Sequence, residues 1–252
     1  KHGFNIRELT TTNSLHKSHP GGRHKPGQMT ILRTDRLGLI RNQKWLFQNL
    51  NIEIPEGSLV AILGPSGVGK SSLLSCLSGS EAPNEGKIEF EFNNGEIKTT
   101  QTIRPELGII FQNLRLTEHV TVLENVLYGK IAHYGLKEAI LGFPKADQEE
   151  AYQILSDLGI DKLAYKWTSQ TSGGEQQRTA IARTLFQSPQ IILADEPVSN
   201  LDTYYAGRVM GLFRNLATLE KKIIFCALHD PQLISRFADY ALSLNPEHPE
   251  GW

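Results

Sequence analysis

The chain has 252 residues, with 26 Lys and Arg against 27 Asp and Glu and a formal net charge of −1. That length allows one α/β domain with a substantial core and a grafted subdomain, rather than two large independent domains. The balanced charge gives no bulk attraction to nucleic acid or anionic lipid, and no apolar run approaches the ~18 residues a spanning helix needs, so a chain soluble by itself with no nucleic-acid partner is expected.

Residues 1–28 carry His2, His16, His19 and His24, a Pro20-Gly21-Gly22 break and little apolar periodicity. They are expected to be a disordered or non-native extension, with the organised pattern and the native start at Met29. From Met29 to Ile54 the pattern predicts short strands, ending in Leu50, Ile52 and Ile54 alternating with Asn51 and Glu53. Leu59 to Leu63 is an apolar strand that runs into a glycine-rich loop and then a helix. Ile88, Phe90 and Phe92 alternate with Glu89 and Glu91, Asn94-Gly95 offers a hairpin turn, and Ile97 to Thr102 returns, which predicts a small antiparallel sheet.

Leu107 to Phe111 reads as a buried strand. Thr117 to Lys166 turns helical, with Ala151, Ile154, Leu155 and Leu158 on one face and Asp147 expected as N-cap. Ile191 to Ala194 and Ile223 to Leu228 are continuous apolar runs, each preceded by a helical segment. Strands without alternation, flanked by helices, argue for a parallel sheet covered on both faces. The two cysteines, Cys76 and Cys226, lie in apolar segments and read as reduced core residues of a cytoplasmic protein.

The loop after Leu63 is Gly64-Pro65-Ser66-Gly67-Val68-Gly69-Lys70-Ser71, followed by Ser72. In this spacing the glycines let backbone N–H groups turn toward phosphate oxygens at a helix N-terminus. Lys70 can neutralise the terminal phosphates, and the Ser71 hydroxyl can ligate the Mg²⁺ that bridges them. Asp195-Glu196 closes a strand, at the end where ligands of open α/β sheets bind. Asp195 suits Mg²⁺, and Glu196 suits the general base that takes a proton from an attacking water. Ser172-Gly173-Gly174-Glu175 opens a helix. Capping explains Ser172 and Glu175, whereas two adjacent glycines suit an approaching anion, so a second subunit's nucleotide is expected there.

With these motifs the sequence resembles the ATP-binding subunits of ABC transporters, from about Met29 to Asn245. The family's LSGGQ signature corresponds to Thr171-Ser172-Gly173-Gly174-Glu175, its Q-loop to Gln112, its D-loop to Ser199-Asn200-Leu201-Asp202 and its switch histidine to His229. The resemblance implies a P-loop NTPase core with a mostly parallel sheet, an antiparallel β subdomain and a helical subdomain over about 113–180, within a domain spanning 29–252. It implies a head-to-tail homodimer with each ATP between one copy's phosphate loop and the other's signature. His229 would contact the terminal phosphate, Gln112 would couple metal and water to the membrane subunit, and Asp202 would communicate across the dimer. The family's adenine-stacking aromatic falls near Ile40 and Arg41, leaving Arg41 or Trp45 as base-side candidates.

Glu124 to Gly129 and Leu141 to Asp147 look like the insertion of phosphonate importer ATPases. The resemblance thus implies uptake of phosphonate, phosphite or phosphate, with two transmembrane permease subunits, a substrate-binding protein, and a peripheral position on the cytoplasmic face of the cell membrane. An ATPase of lipoprotein or macrolide export, and a non-transport regulatory ATPase, are the alternatives.

Overall fold

The computed structural model describes residues 7–8, 27–133 and 142–251. The first half holds β1 (Arg7–Glu8), β2 (Met29–Arg41), β3 (Lys44–Leu50), β4 (Glu53–Pro55), β5 (Leu59–Leu63), α1 (Lys70–Leu77), β6 (Glu85–Phe92), β7 (Ile97–Thr99) and β8 (Leu107–Ile110). There follow α2 (Val122–Leu127), α3 (Lys145–Asp157), α4 (Gly173–Phe186), β9 (Ile191–Asp195), α5 (Thr203–Glu220), β10 (Ile223–Ala227), α6 (Pro231–Phe237) and β11 (Tyr240–Ser243).

The parallel sheet has the order β1-β11-β5-β10-β9-β8. Its central strands β5, β10 and β9 bury both faces, and alternate residues feed two cores. Val60, Ile62, Leu193 and Phe225 face one cluster with Leu73 and Leu77 of α1. Leu59, Ala61, Ile192, Ile224 and Cys226 face the other, with Val209, Met210 and Phe213 of α5 and Ile181 of α4. A period of two with apolar residues on both sides produces the uninterrupted runs seen in the sequence. Cys76 and Cys226 are free and buried, one in each core. Burial pushes the Cys76 thiol up to about 12 and also raises that of Cys226.

The antiparallel sheet has the order β3-β2-β6-β7, with β4 also on β2. The stretch expected as short strands is instead dominated by β2, which has 13 residues. It turns into β3 through Asn42 (φ 51°) and Gln43 (φ 62°), with Arg41 opposite Lys44. Two left-handed residues in a two-residue connection match the twist of the strands; the expected alternation holds, with Leu50, Ile52 and Ile54 buried and Asn51 and Glu53 exposed, although Asn51-Ile52 link β3 to β4 rather than belong to either strand. Asn94-Gly95 turns β6 into β7 with Gly95 at φ 79°, and β7 ends at Thr99 rather than Thr102. Gly86 sits where β2 changes register, and a Cβ there would lie 2.3 Å from the Asp35 carbonyl oxygen. Leu32, Ile54, Ile88 and Phe90 turn this sheet's apolar face into the core shared with α1.

In the helical region α2 begins with a capping box between Thr121 and Glu124, and a 3₁₀ turn covers Tyr128–His133. Ala151, Leu155 and Leu158 are buried and Ile154 packs beside them, as the periodicity predicts. Asp147 is not the N-cap. Pro144 takes that position (φ −54°, ψ 143°), and its carbonyl accepts from the Gln148 N–H at 3.1 Å. Asp147 falls one turn in, where a carboxylate still complements the helix dipole.

Of the leading residues, Arg7–Glu8 pair in parallel with Tyr240–Ala241, and Gly27-Gln28 lead into β2. The remainder of 1–26, with its histidines, lies outside the described residues, as does Leu141. Among the described residues no helix is long and apolar enough to cross a membrane.

Phe225 on the central strand β10 is fully buried. Phe225→Ala is expected to cost about 3–5 kcal/mol and lower Tm by roughly 6–20 °C in a thermal melt. Leu219→Ala, on a side chain 78% exposed, should stay within about 0.5 kcal/mol of the parent.

Candidate nucleotide site

Four neighbouring parallel strands deliver their C-terminal ends to one edge. The register pairs Ala227 of β10 with Ile62 of β5 on one side and with Asp195 of β9 on the other, and Ala194 of β9 with Ile110 of β8. Gly64, His229, Glu196 and Gln112 come just after those ends, here in the order of the strands across the sheet, and Asp195 closes β9, so strand pairing brings them into one row. Adjacent strands lie about 4.8 Å apart.

The phosphate loop is built around left-handed glycines: Gly64 (φ 136°), Gly67 (φ 78°) and Gly69 (φ 118°). A Cβ on Gly64 would lie 2.7 Å from the Leu244 carbonyl oxygen, and one on Gly69 would lie 3.1 Å from Leu46 Cβ. Gly67 opens onto free space. Val68 is the apolar plug beneath the loop, 4% exposed, and Pro65 and Ser66 form its exposed rim. Helix α1 starts without a side-chain cap and without an acid in its first turn, so its leading N–H groups are left to an external acceptor.

Lys70 is buried, and its Nζ donates to the Gly64 and Pro65 carbonyl oxygens at 2.9 and 3.1 Å. A buried cation whose bonds go to carbonyls, beside a helix start that no side chain caps, fits a polyphosphate. Ser71 is exposed at the same turn, Ser72 is buried beneath it, and Asp195 is half-buried at the end of β9. A hydroxyl and a single carboxylate are the hard oxygen donors Mg²⁺ takes when phosphates supply the rest.

Glu196 adopts φ 51°, a strained conformation of the sort that concentrates at functional sites. His229 Nε2–H donates to Glu196 Oε1 at 2.9 Å. That bond links the residues that follow β10 and β9. Gln112 is exposed and lines a cleft of about 320 Å³ with Gly173, Gln176 and Asn200.

The Ser172 edge is formed by a reciprocal cap. Ser172 N–H donates to Glu175 Oε2 at 2.7 Å, and Glu175 N–H donates to Ser172 Oγ at 3.4 Å. The first of these bonds is the main reason the Glu175 carboxyl is held below its ordinary value. Gly173 has no atom within 4 Å of a Cβ position, so its backbone is open to an incoming group. Gly174 is closer set, with the Asn200 carbonyl oxygen 3.1 Å from where a Cβ would be. Thr171, in place of the family's leucine, is buried and donates its hydroxyl to the Thr168 carbonyl at 2.7 Å. Among the described residues no hydrogen bond joins Ser172–Glu175 to the phosphate loop of the same copy.

Two expected site residues have local partners. Asp202 is the N-cap of α5, accepting from Tyr205 N–H at 2.9 Å. Arg41 is held by Glu81, with its Nη2 2.7 and 2.9 Å from the two carboxylate oxygens. One nitrogen of the guanidinium makes both contacts, and the side chain stays half exposed. Trp45 packs over Gly38, where a Cβ would come 2.8 Å from its ring. Leu46 is the side chain against Gly69, a contact made where β3 packs on the phosphate loop and marked by no local sequence signal.

A family model described as ABC transporter matches residues 47–199. The phosphonates import ATP-binding protein PhnC 2 of Oceanobacillus iheyensis is 36% identical over 221 residues, covering 86% of this chain and 87% of that protein. The phosphonates import ATP-binding protein PhnC of Fusobacterium nucleatum is 34% identical over 219 residues, covering 85% and 89%. Among solved structures, the dimeric post-hydrolysis state of the ATP-binding cassette MJ0796 bound to ADP and Pi aligns with a TM-score of 0.74 at 30% identity, over 85% of this chain and 94% of that one. With the phosphate loop, the strand-end carboxylates and the Ser-Gly-Gly edge arranged on this fold, the chain belongs to the ABC transporter family and is one of its ATPase cassettes.

Proposed function

We propose that this cassette powers an importer for phosphonate or a related phosphorus oxyanion. It would act as a head-to-tail homodimer beneath two transmembrane permease subunits on the cytoplasmic face of the cell membrane, with a substrate-binding protein delivering the cargo. The substrate class is supported by relatives named as phosphonates import proteins at 36% and 34% identity over most of their length. The dimer is supported above all by the Ser172 edge, a helix start whose Gly173 faces open space and which makes no hydrogen bond to the phosphate loop of its own copy among the described residues. The MJ0796 cassette is itself dimeric.

In this reading the loop from Gly64 to Ser72 holds the triphosphate and Lys70 exchanges its two carbonyl partners for phosphate oxygens. The Ser172–Glu175 edge of a second copy closes over the same nucleotide. Ser71 and Asp195, with Gln112 beside them, would hold Mg²⁺, which neutralises charge on the phosphate oxygens. Glu196 takes the proton from the attacking water, with His229 fixing its direction and reaching the terminal phosphate. Asp202 carries the state of one pocket to the other. A cleft of about 390 Å³ lined by Phe111, Arg115, Tyr128 and Gln187 flanks the Gln112 loop and offers the permease a surface from which to sense it.

Lys70→Ala is expected to weaken ATP binding roughly 10-fold to 100-fold through loss of charged hydrogen bonds, measured by titration calorimetry; unchanged affinity would reject the loop assignment. Glu196→Gln should form dimers with MgATP in sedimentation while phosphate release falls by roughly 10²–10⁴, and undiminished release would remove Glu196 from the role of base. Reconstituted with its permease and binding protein, the parent should accumulate a radiolabelled alkylphosphonate in an ATP-dependent manner. Vesicles that hydrolyse ATP yet take up neither phosphonate, phosphite nor phosphate would rule out the proposed cargo.

A further inference from the structure

The chain just beyond Gln112 contains two consecutive left-handed residues, Leu114 (φ 49°) and Arg115 (φ 47°). Neither is a residue that visits this region easily, because an L side chain there crowds the following carbonyl. Both carbonyls of the strained pair are gripped by one side chain. Arg183 Nη2–H donates to the Leu114 oxygen at 2.8 Å and Nη1–H donates to the Arg115 oxygen at 2.7 Å. The turn is closed further by the Leu114 N–H, which donates to the Phe111 carbonyl at 3.0 Å, and by the Arg115 guanidinium, 3.7 Å over the Phe111 ring.

Arg183 belongs to α4, and burial alone pushes its guanidinium below its ordinary value. Among the described residues it has no carboxylate within ion-pair distance. A half-buried guanidinium whose two side-chain hydrogen bonds both go to carbonyls needs a geometric reason. The planar fork supplies it, since two donors at fixed spacing can hold two successive carbonyls in one orientation, which a lysine cannot do.

We propose that Arg183 is a positioning residue: it braces the left-handed turn at Leu114–Arg115, and the braced turn sets the direction in which Gln112 leaves β8. The proposal rests on the role given to Gln112 above. It also joins two parts of the machinery. The same helix that begins at the Ser172 edge carries the brace three turns further on, about 16 Å along its axis. One rod therefore serves the neighbour's pocket at its end and its own pocket from its side.

The test uses steady-state ATPase kinetics and hydrogen exchange on the full-length protein. Arg183→Met is expected to lower kcat about tenfold or more through misplacement of Gln112, with KM for ATP within about twofold of the parent. Exchange at the Leu114 and Arg115 amides should quicken at least about tenfold. Glycine takes φ near 50° freely, so Leu114→Gly added to Arg183→Met should restore kcat by about threefold or more, a rescue that a general packing defect would not give. Should the methionine variant fail to fold, Arg183→Lys, which keeps stem and charge but loses the fork, takes its place in the same comparison.

Unchanged exchange at those amides, or a kcat within twofold of the parent while Gln112→Ala lowers it, would overturn the brace. A Gln112→Ala variant with undiminished kcat would instead overturn the role of Gln112, and the positioning proposal with it.

Discussion

The constraint on which the structure depends is the parallel register of β5, β10, β9 and β8. Ala227 stands opposite Ile62 and Asp195, and Ala194 opposite Ile110, so four loops start from one line. Because the side-chain period of a strand is two, a slip of one residue would move Phe225 and Ile224 into each other's cores. Both faces are filled, so that slip is strongly resisted. The packing of the cores therefore fixes the placement of Lys70, Glu196, His229 and Gln112.

On this frame the site combines rigid and strained parts. The ladder is rigid. The strain sits at loop positions: Glu196 at φ 51° and the Leu114–Arg115 pair are left-handed without being glycine. Each is tethered, Glu196 through His229 and the pair through Arg183. Such conformations persist where the surroundings over-determine them, and here the tethers come from β10's exit and from α4, both anchored in the second core.

Much of this was legible in the sequence because the relevant signals are local. Apolar runs without alternation mark buried parallel strands, and Gly64 to Ser71 carries its own geometry, since few residues tolerate its φ values. The Ser172–Glu175 cap is likewise contained within four residues. What escaped depends on partners distant in the chain or on unusual turn chemistry. Gln43 is not a residue that announces a left-handed turn, so the sequence pattern shows short strands where the structure has the β2–β3 hairpin. Pro144 displaced Asp147 from the cap of α3 because its fixed φ already suits entry into a helix. Arg183 lies 69 residues from Leu114, and nothing in its neighbourhood marks it apart from any helical arginine. The contact of Leu46 with Gly69 and the ion pair of Arg41 with Glu81 exist only once the β2–β3 hairpin is packed against the phosphate loop and the segment after α1.

The division of the interior into two cores has a practical corollary. Cys76 belongs to the layer under the antiparallel sheet and Cys226 to the layer under α5, and both thiols are protonated and shielded in the native chain. A maleimide added during gradual denaturation would meet each sulfur only when its own layer parts. The molecule thus carries a built-in pair of reporters, and the order in which they become labelled reveals which side of the central sheet opens first.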